Sequence, residues 1–264
     1  MGLADMLIKL RVKYGSTTSR SILESIGHEL IMTALETSSI LAANCGPYPK
    51  FNRDYVLRTP FFKNLDSGDM NDLRFQSLHD DICKYGLRNS QLLTCAPTGS
   101  IATMLGVSTG CEPIFATSYT RKTESLVNEE KYYKVYTPII KKLIDEGFSE
   151  ETLPEYVVTS EQIPYRERIK VQATLQKFID ASISSTINLP ESATIDDVET
   201  IYRLAWEEGL KGVFLLQKVH RLATVQEVDI LHNRMQEAGM QFLSWVMHLT
   251  FVTHIFLLYH IIRI

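Results

Sequence analysis

Apolar residues along this chain follow two patterns in alternation: long stretches spaced by three and four, and short compact runs. In residues 17–44, Ile22, Leu23, Ile26, Leu30, Ala34 and Leu41 repeat near a 3.6-residue period, which predicts one long helix ended by Gly46-Pro47. Residues 51–68 are rich in turn formers and aromatics (Tyr55, Pro60, Phe61, Phe62, Asp66, Gly68) and read as irregular surface chain. Asn71 and Asp72 open a helix through Leu78 and Ile82 that stops at Gly86, with Asp80-Asp81 on its solvated face. Residues 92–96 form a compact apolar run bounded by Pro97, read as a buried strand, and Thr98 can cap a helix starting near Gly99.

A strand is predicted over 114–119. A helix follows over 131–147 with Tyr132, Tyr136, Ile139, Ile140 and Leu143 on its apolar side. The clearest helix spans 163–184, burying Ile169, Val171, Leu175, Phe178, Ile179 and Ile183 and turning Arg166, Glu167, Lys170, Lys177 and Asp180 to water. Residues 185–189 form a short strand cut by Pro190, and Thr194 caps a helix running to Gly209. Gly212-Val213 begins another strand. Helices alternating with short apolar strands indicate an α/β layout with many strands pointing the same way.

Past Val213 the character changes. Thr224-Val225-Gln226-Glu227 is a capping box for a helix to about Gly239, and residues 242–264 contain no Asp, Glu or Lys. That run is long enough to span a bilayer. It reads as a membrane anchor, a buried helix, or an out-of-frame segment never selected to fold with the rest. Its histidines, His248, His254 and His260, sit about 600° apart around a helix and share no metal-binding face. The opening residues 1–15 are too interrupted by charge for a signal peptide, and their abrupt helical pattern reads as a chain starting in mid-domain.

Composition narrows the function. A 264-residue chain that is 45% hydrophobic can build a sizeable core, and its net charge of −4 supplies no basic field for a nucleic-acid polymer. Cys45, Cys83, Cys95 and Cys111 are scattered without a Cys-x-x-Cys pair. Neither a zinc site nor a disulfide framework is indicated, and a reducing, cytoplasmic setting is expected.

The candidate chemistry lies in residues 92–113, where an apolar run delivers Pro97, Thr98, Gly99, Ser100 and Ile101 to a helix start. Such a turn aims free backbone N–H groups and the positive end of a helix at one point, which is a cradle for phosphate. It is equally the form of an ordinary strand–turn–helix corner, with Gly99 serving backbone geometry. Arg88, just before it, can pair with phosphate or hold the chain. The neighbouring Tyr132-Tyr133 pair reads as ordinary core and surface aromatics rather than an electron relay.

Ordered motifs across residues 2–213 resemble one family. They include Gly2-Leu3-Ala4-Asp5, Tyr14-Gly15-Ser16, Gly86-Leu87-Arg88-Asn89-Ser90, Ala96-Pro97-Thr98-Gly99-Ser100-Ile101 and Gly110-Cys111-Glu112-Pro113. Further on come Tyr119-Thr120-Arg121, Val171-Gln172 with Gln176-Lys177, Asp180-Ala181-Ser182-Ile183-Ser184, Asn188-Leu189-Pro190 and Gly209-Leu210-Lys211-Gly212-Val213. Together they resemble the C-terminal part of the large, catalytic subunit of ribonucleotide reductases, most closely the adenosylcobalamin-dependent, class II kind.

The resemblance implies the C-terminal part of a ten-stranded α/β barrel over 1–213, with 214–264 a divergent helical tail. It implies an oxidoreductase of deoxyribonucleotide synthesis. A thiyl radical takes the ribose 3′-hydrogen, the 2′-hydroxyl leaves as water, and a cysteine pair re-reduced by a thioredoxin-type protein supplies electrons. The implied cofactor is adenosylcobalamin and the substrate a ribonucleoside diphosphate, its phosphates held by Pro97, Thr98, Gly99, Ser100 and Ile101, with Asn89 and Ser90 as candidate pocket neighbours. The family's radical cysteine, its neighbouring asparagine and glutamate, and its redox pair all lie upstream of the matched part, so no catalytic residue is assigned on this chain. Cys95 and Cys111 read as buried structural thiols. Where the family continues Lys-Gly-Val with an Arg-Asp-Gly triplet, this chain has Phe214-Leu215-Leu216-Gln217-Lys218. The chain is therefore expected to be a reductase fragment, active only with the missing part on another chain, or else a non-catalytic nucleotide-binding remnant, tethered to a membrane if its tail is an anchor.

Overall fold

A computed structural model of the protein describes residues 1–66, 72–124, 130–190 and 192–217. The predicted helix at 224–239 and the apolar run at 242–264 with its histidines lie outside the described residues.

Helix α1 (Leu3–Lys9) buries Leu7 and Ile8. Helix α2 (Thr17–Cys45) begins where the Ser16 side chain accepts the Ser19 amide, and ends at Gly46, whose φ of 79° turns the chain out of the helix. The stretch expected to be irregular is instead helical. Asn52 and Thr59 cap α3 (Arg53–Arg58) and α4 (Pro60–Lys63) by accepting the amides of Tyr55 and Phe62, and Pro60 occupies the first turn of α4, where a missing N–H costs nothing. Phe62 and Leu65 are buried, with Ile31, Met32 and Leu35 of α2, against Phe75, Leu78 and Ile82 of α5 (Leu73–Tyr85). Asp72 caps α5 through the Phe75 amide, and Gly86 ends it. Asp80 and Asp81 are exposed on it, as expected.

The helix expected from residue 131 begins later. Strands β1 (Ser118–Glu124) and β2 (Glu130–Tyr136) form an antiparallel hairpin in which Ser118 pairs with Tyr136, and α7 (Pro138–Asp145) starts only at Pro138. The residue before a proline is driven away from helical geometry, and the Thr137 amide prolongs the hairpin by donating to Thr117 O at 3.0 Å. Of the predicted 114–119 strand, Ile114 makes an isolated parallel bridge to Thr159, and the ladder starts at Ser118.

Helix α8 (Tyr165–Gln176) stops well short of residue 184. The Gln176 amide nitrogen donates to the carbonyls of Ile179 (2.8 Å) and Ala181 (2.9 Å), turning the chain out of the helix. From there β3 (Thr186–Leu189), α9 (Ile195–Glu207) and β4 (Phe214–Gln217) form a parallel strand–helix–strand unit. Thr194 and Asp197 make its reciprocal cap. Register runs from Thr186 opposite Phe214 to Leu189 opposite Gln217. Ile187, Leu189, Ile201, Tyr202, Ala205 and Val213 share a core with Ile169 of α8.

The whole is a mixed helix and strand arrangement. The described sheets, β1–β2 and β3–β4, are two-stranded, and no closed sheet forms among the described residues. No helix among the described residues is long and apolar enough to cross a membrane.

Candidate functional site

The run before Pro97 is extended but is not the buried strand expected. It lies half-exposed beside residues 180–184, meeting them in one bridge between Cys95 and Ile183. What docks it is Asp180, whose two carboxylate oxygens accept the amides of Leu92 (2.7 Å) and Leu93 (2.6 Å). Leu93 O accepts the Ala181 amide at 3.0 Å and Cys95 O the Ser184 amide at 2.8 Å. Asp180, read from the sequence as a water-facing helical residue, is therefore a clamp on the approach to the loop.

At the loop itself the left-handed residue is Thr98, with φ 54°. Thr98 precedes α6 (Gly99–Leu105) but its hydroxyl does not cap that helix, contrary to expectation. Instead Thr98 Oγ1 accepts the Gly110 amide at 2.9 Å, tying the start of the loop to the turn that closes it. The first hydrogen bond of α6 runs from Ala102 N–H to Thr98 O at 2.8 Å, so the amides of Gly99, Ser100 and Ile101 precede the ladder without a side-chain cap. Pro97, Gly99, Ser100 and Ile101 are exposed and Thr98 is half-buried.

Two glycines of this region, Gly99 and Gly110, differ. Gly110 has φ 44°, and a Cβ there would lie 2.9 Å from Ala96 O, so geometry and packing both demand glycine. Gly99 has no left-handed φ, and a Cβ there would meet nothing within 4 Å.

Beneath the loop lies a buried polar seam. Arg168 of α8 is 3% exposed and donates to Tyr14 Oη (2.5 Å), Ser185 Oγ (2.9 Å) and Thr186 O (3.0 Å). The Tyr14 hydroxyl in turn donates to Cys111 O at 2.7 Å, and burial pushes its phenol upward, so it stays neutral. Glu112 accepts the Thr186 amide at 2.7 Å and lies 3.9 Å from Arg168. At the far end of α6, the buried Asp5 carboxylate accepts the Ser108 amide at 2.6 Å, and the Gly2 amide donates to Ser108 O at 2.8 Å. Loop and helix are thus held by residues from four distant parts of the chain.

The other sequence candidates go elsewhere. Asn89 is bound to Ser38 of α2, its amide donating to Ser38 Oγ (3.0 Å) and its side-chain oxygen accepting from it (3.1 Å). Ser90 is exposed beside it. Arg88 donates to Gly46 O at 3.3 Å, a structural role. Asp5, Tyr14, Arg168 and Asp180 were not singled out as site residues, since each has a partner between 87 and 154 residues away in sequence.

A family model described as "Ribonucleotide reductase, barrel domain" matches residues 1–216. The chain is 27% identical over 231 residues to a vitamin B12-dependent ribonucleoside-diphosphate reductase of Mycobacterium tuberculosis, covering 81% of this chain and 30% of that protein. It is 28% identical over 229 residues to the protein of the same name in Thermoplasma acidophilum, covering 81% and 27% respectively. It is 30% identical over 243 residues to the ribonucleoside-diphosphate reductase large subunit of monkeypox virus, covering 85% and 31%. The chain therefore spans about three tenths of the length of the curated relatives it matches.

Proposed function

The chain belongs to the ribonucleotide reductase barrel-domain family, and from that premise we propose that it is the part of a reductase large subunit that holds the phosphates of a ribonucleoside diphosphate. Residues 1–213 form the C-terminal segment of the catalytic barrel in this reading, and 214–264 a separate tail. Strands β3 and β4, parallel and paired in register around α9, are the kind of unit that a larger parallel barrel repeats. Ten strands require partners beyond this chain.

One observation carries the reading. Gly99 stands at the exposed, uncapped start of α6 although neither its backbone angle nor its neighbours require glycine. A missing side chain there leaves room for something approaching from outside, and three amides that precede the helical ladder suit phosphate oxygens. With Thr98 Oγ1 accepting the Gly110 amide, the hydroxyl proton of Thr98 stays free to donate to an oxyanion.

Reduction itself is assigned to the whole enzyme, with the radical and redox cysteines on the remainder of the protein and a thioredoxin-type reductant. All four cysteines here are free thiols, which suits a reducing cytoplasm. Vitamin B12 dependence is stated of the Mycobacterium and Thermoplasma relatives. Adenosylcobalamin is accordingly proposed as the cofactor of the whole enzyme, and the chemistry assigned to this chain involves binding and orientation alone.

The test is titration of a ribonucleoside diphosphate against the wild type and Gly99→Val. The valine finds open space, so the variant folds normally, yet it occupies the approach to the amides. Affinity should fall at least tenfold, about 1.4 kcal/mol; equal affinity removes the assignment. Adding the N-terminal remainder of a reductase in trans, with cobalamin and reductant, separates a split enzyme, which turns over, from a remnant, which does not.

A further inference from the structure

Two of the four cysteines, Cys95 and Cys111, meet at one residue, Ser184, although sixteen positions separate them in sequence, and Cys95 packs against the core cluster that holds Cys111. Cys95 O accepts the Ser184 amide at 2.8 Å, and Cys111 Sγ points at Ser184 O, 3.9 Å away. Cys95 is half-buried on the exposed ribbon before Pro97, and Cys111 is 2% exposed behind it. We propose that Cys95 and Cys111 form a peroxide-reactive thiol pair that closes reversibly into a disulfide at the base of the Pro97–Ile101 loop.

The two sulfurs are differentiated by their surroundings. Interaction with the Cys111 thiol draws Cys95 down to about 7, against an opposing push from burial. Cys111 itself is pushed up, by its bond to Cys95 and by burial, and remains the protonated member. Other charges facing the pair are Glu112, which raises both, and Arg168 of α8, which lowers Cys111. Near neutral pH the accessible sulfur is thus the nucleophile and the buried one the resolving thiol.

In the first step the Cys95 thiolate attacks one oxygen of hydrogen peroxide and the O–O bond breaks. The products are a Cys95 sulfenic acid and hydroxide, which the solvent protonates to water. In the second step Cys111 sulfur attacks the sulfenic sulfur, forming the S–S bond. The sulfenic hydroxyl leaves with the Cys111 proton as a second water, so two electrons pass from the thiols to one peroxide. A dithiol reverses the closure. The crosslink would enclose the whole loop and α6 within one covalent ring. This inference needs only the two cysteines and stands or falls apart from the phosphate assignment.

The test uses the full chain, reduced, exposed to a few equivalents of hydrogen peroxide, alkylated in denaturant and mapped by peptide mass. The expected product joins the Cys95 and Cys111 peptides, lighter by two hydrogens and restored by dithiothreitol, while Cys45 and Cys83 are alkylated. In Cys111→Ala, which removes the hydrogen-bonding group at that position, dimedone should label Cys95, and the pH of half-maximal Cys95 alkylation should rise above that of the wild type. In Cys95→Ser, at the half-buried position, the crosslink should vanish and Cys111 should stay reduced. Cys95 and Cys111 both fully alkylated in the wild type, or Cys111 oxidised as fast in Cys95→Ser, overturns the proposal.

Discussion

Arg168 and Arg74 each gather partners from distant parts of the chain, in two regions that differ chiefly in water. On the outer face of α2 and α5, Arg74 meets Glu36 (2.6 Å) and Glu29 (2.7 Å), with its side chain 39% exposed. Under the loop, Arg168 has one carboxylate at 3.9 Å and otherwise neutral acceptors, with its side chain 2% exposed. The outer site holds more opposite charge at shorter range, and solvent screens it. The inner site holds less, and its hydrogen bonds replace water that the guanidinium has lost. Counting ion pairs ranks the outer site higher; burial ranks the inner one higher.

Three substitutions test that ranking. Arg168→Ala should be the most damaging, costing about 3–5 kcal/mol in urea unfolding, because it strands Tyr14, Ser185 and the Thr186 carbonyl in the interior. A loss below about 1 kcal/mol would put the two regions on an equal footing. Asp180→Asn comes next: one carboxylate oxygen becomes an amide donor facing the Leu92 or Leu93 N–H, for a loss of about 1–3 kcal/mol. Hydrogen exchange should locate that loss, with Leu92 and Leu93 losing protection before the β3–β4 ladder does. Arg74→Ala should be the mildest, within about 1 kcal/mol, and its effect should shrink further in high salt. A salt-insensitive loss as large as that of Arg168→Ala would mean that the outer cluster is desolvated in solution.

The same contrast explains what could be read along the chain. Helix α2 with its Gly46 stop, α5 with its Asp72 cap, and α9 with its Thr194 cap were all legible, because each signal and its partner lie within one helical turn. So was β3, cut by Pro190, and its parallel partner after Gly212-Val213. Residues 131–136 were misread as helix because Lys-Tyr-Tyr-Lys-Val-Tyr fits either period, and the opposing strand at 118–124 decided the matter. Helix α8 was drawn too long because its apolar spacing persists past Gln176 although its hydrogen bonds do not.

At the site, the motif Ala96–Ile101 was visible as a turn meeting a helix start, and the family it belongs to could be named from motifs in order along the chain. Which hydroxyl caps what was not visible. Thr98 serves Gly110 rather than its own helix, Asp180 clamps Leu92 and Leu93 from 87 and 88 residues away, and Arg168 reaches Tyr14 across 154. By itself the sequence determined many of the local elements with their caps and breaks, and the family, since the former depend on backbone preferences and partners a few residues off. Only the tertiary structure decided that Gly99 is unconstrained while Gly110 is not, that Arg168 is buried while Arg74 is wet, and that two scattered cysteines meet at Ser184. Burial and long-range pairing exist only once distant segments have been brought together and water removed from between them.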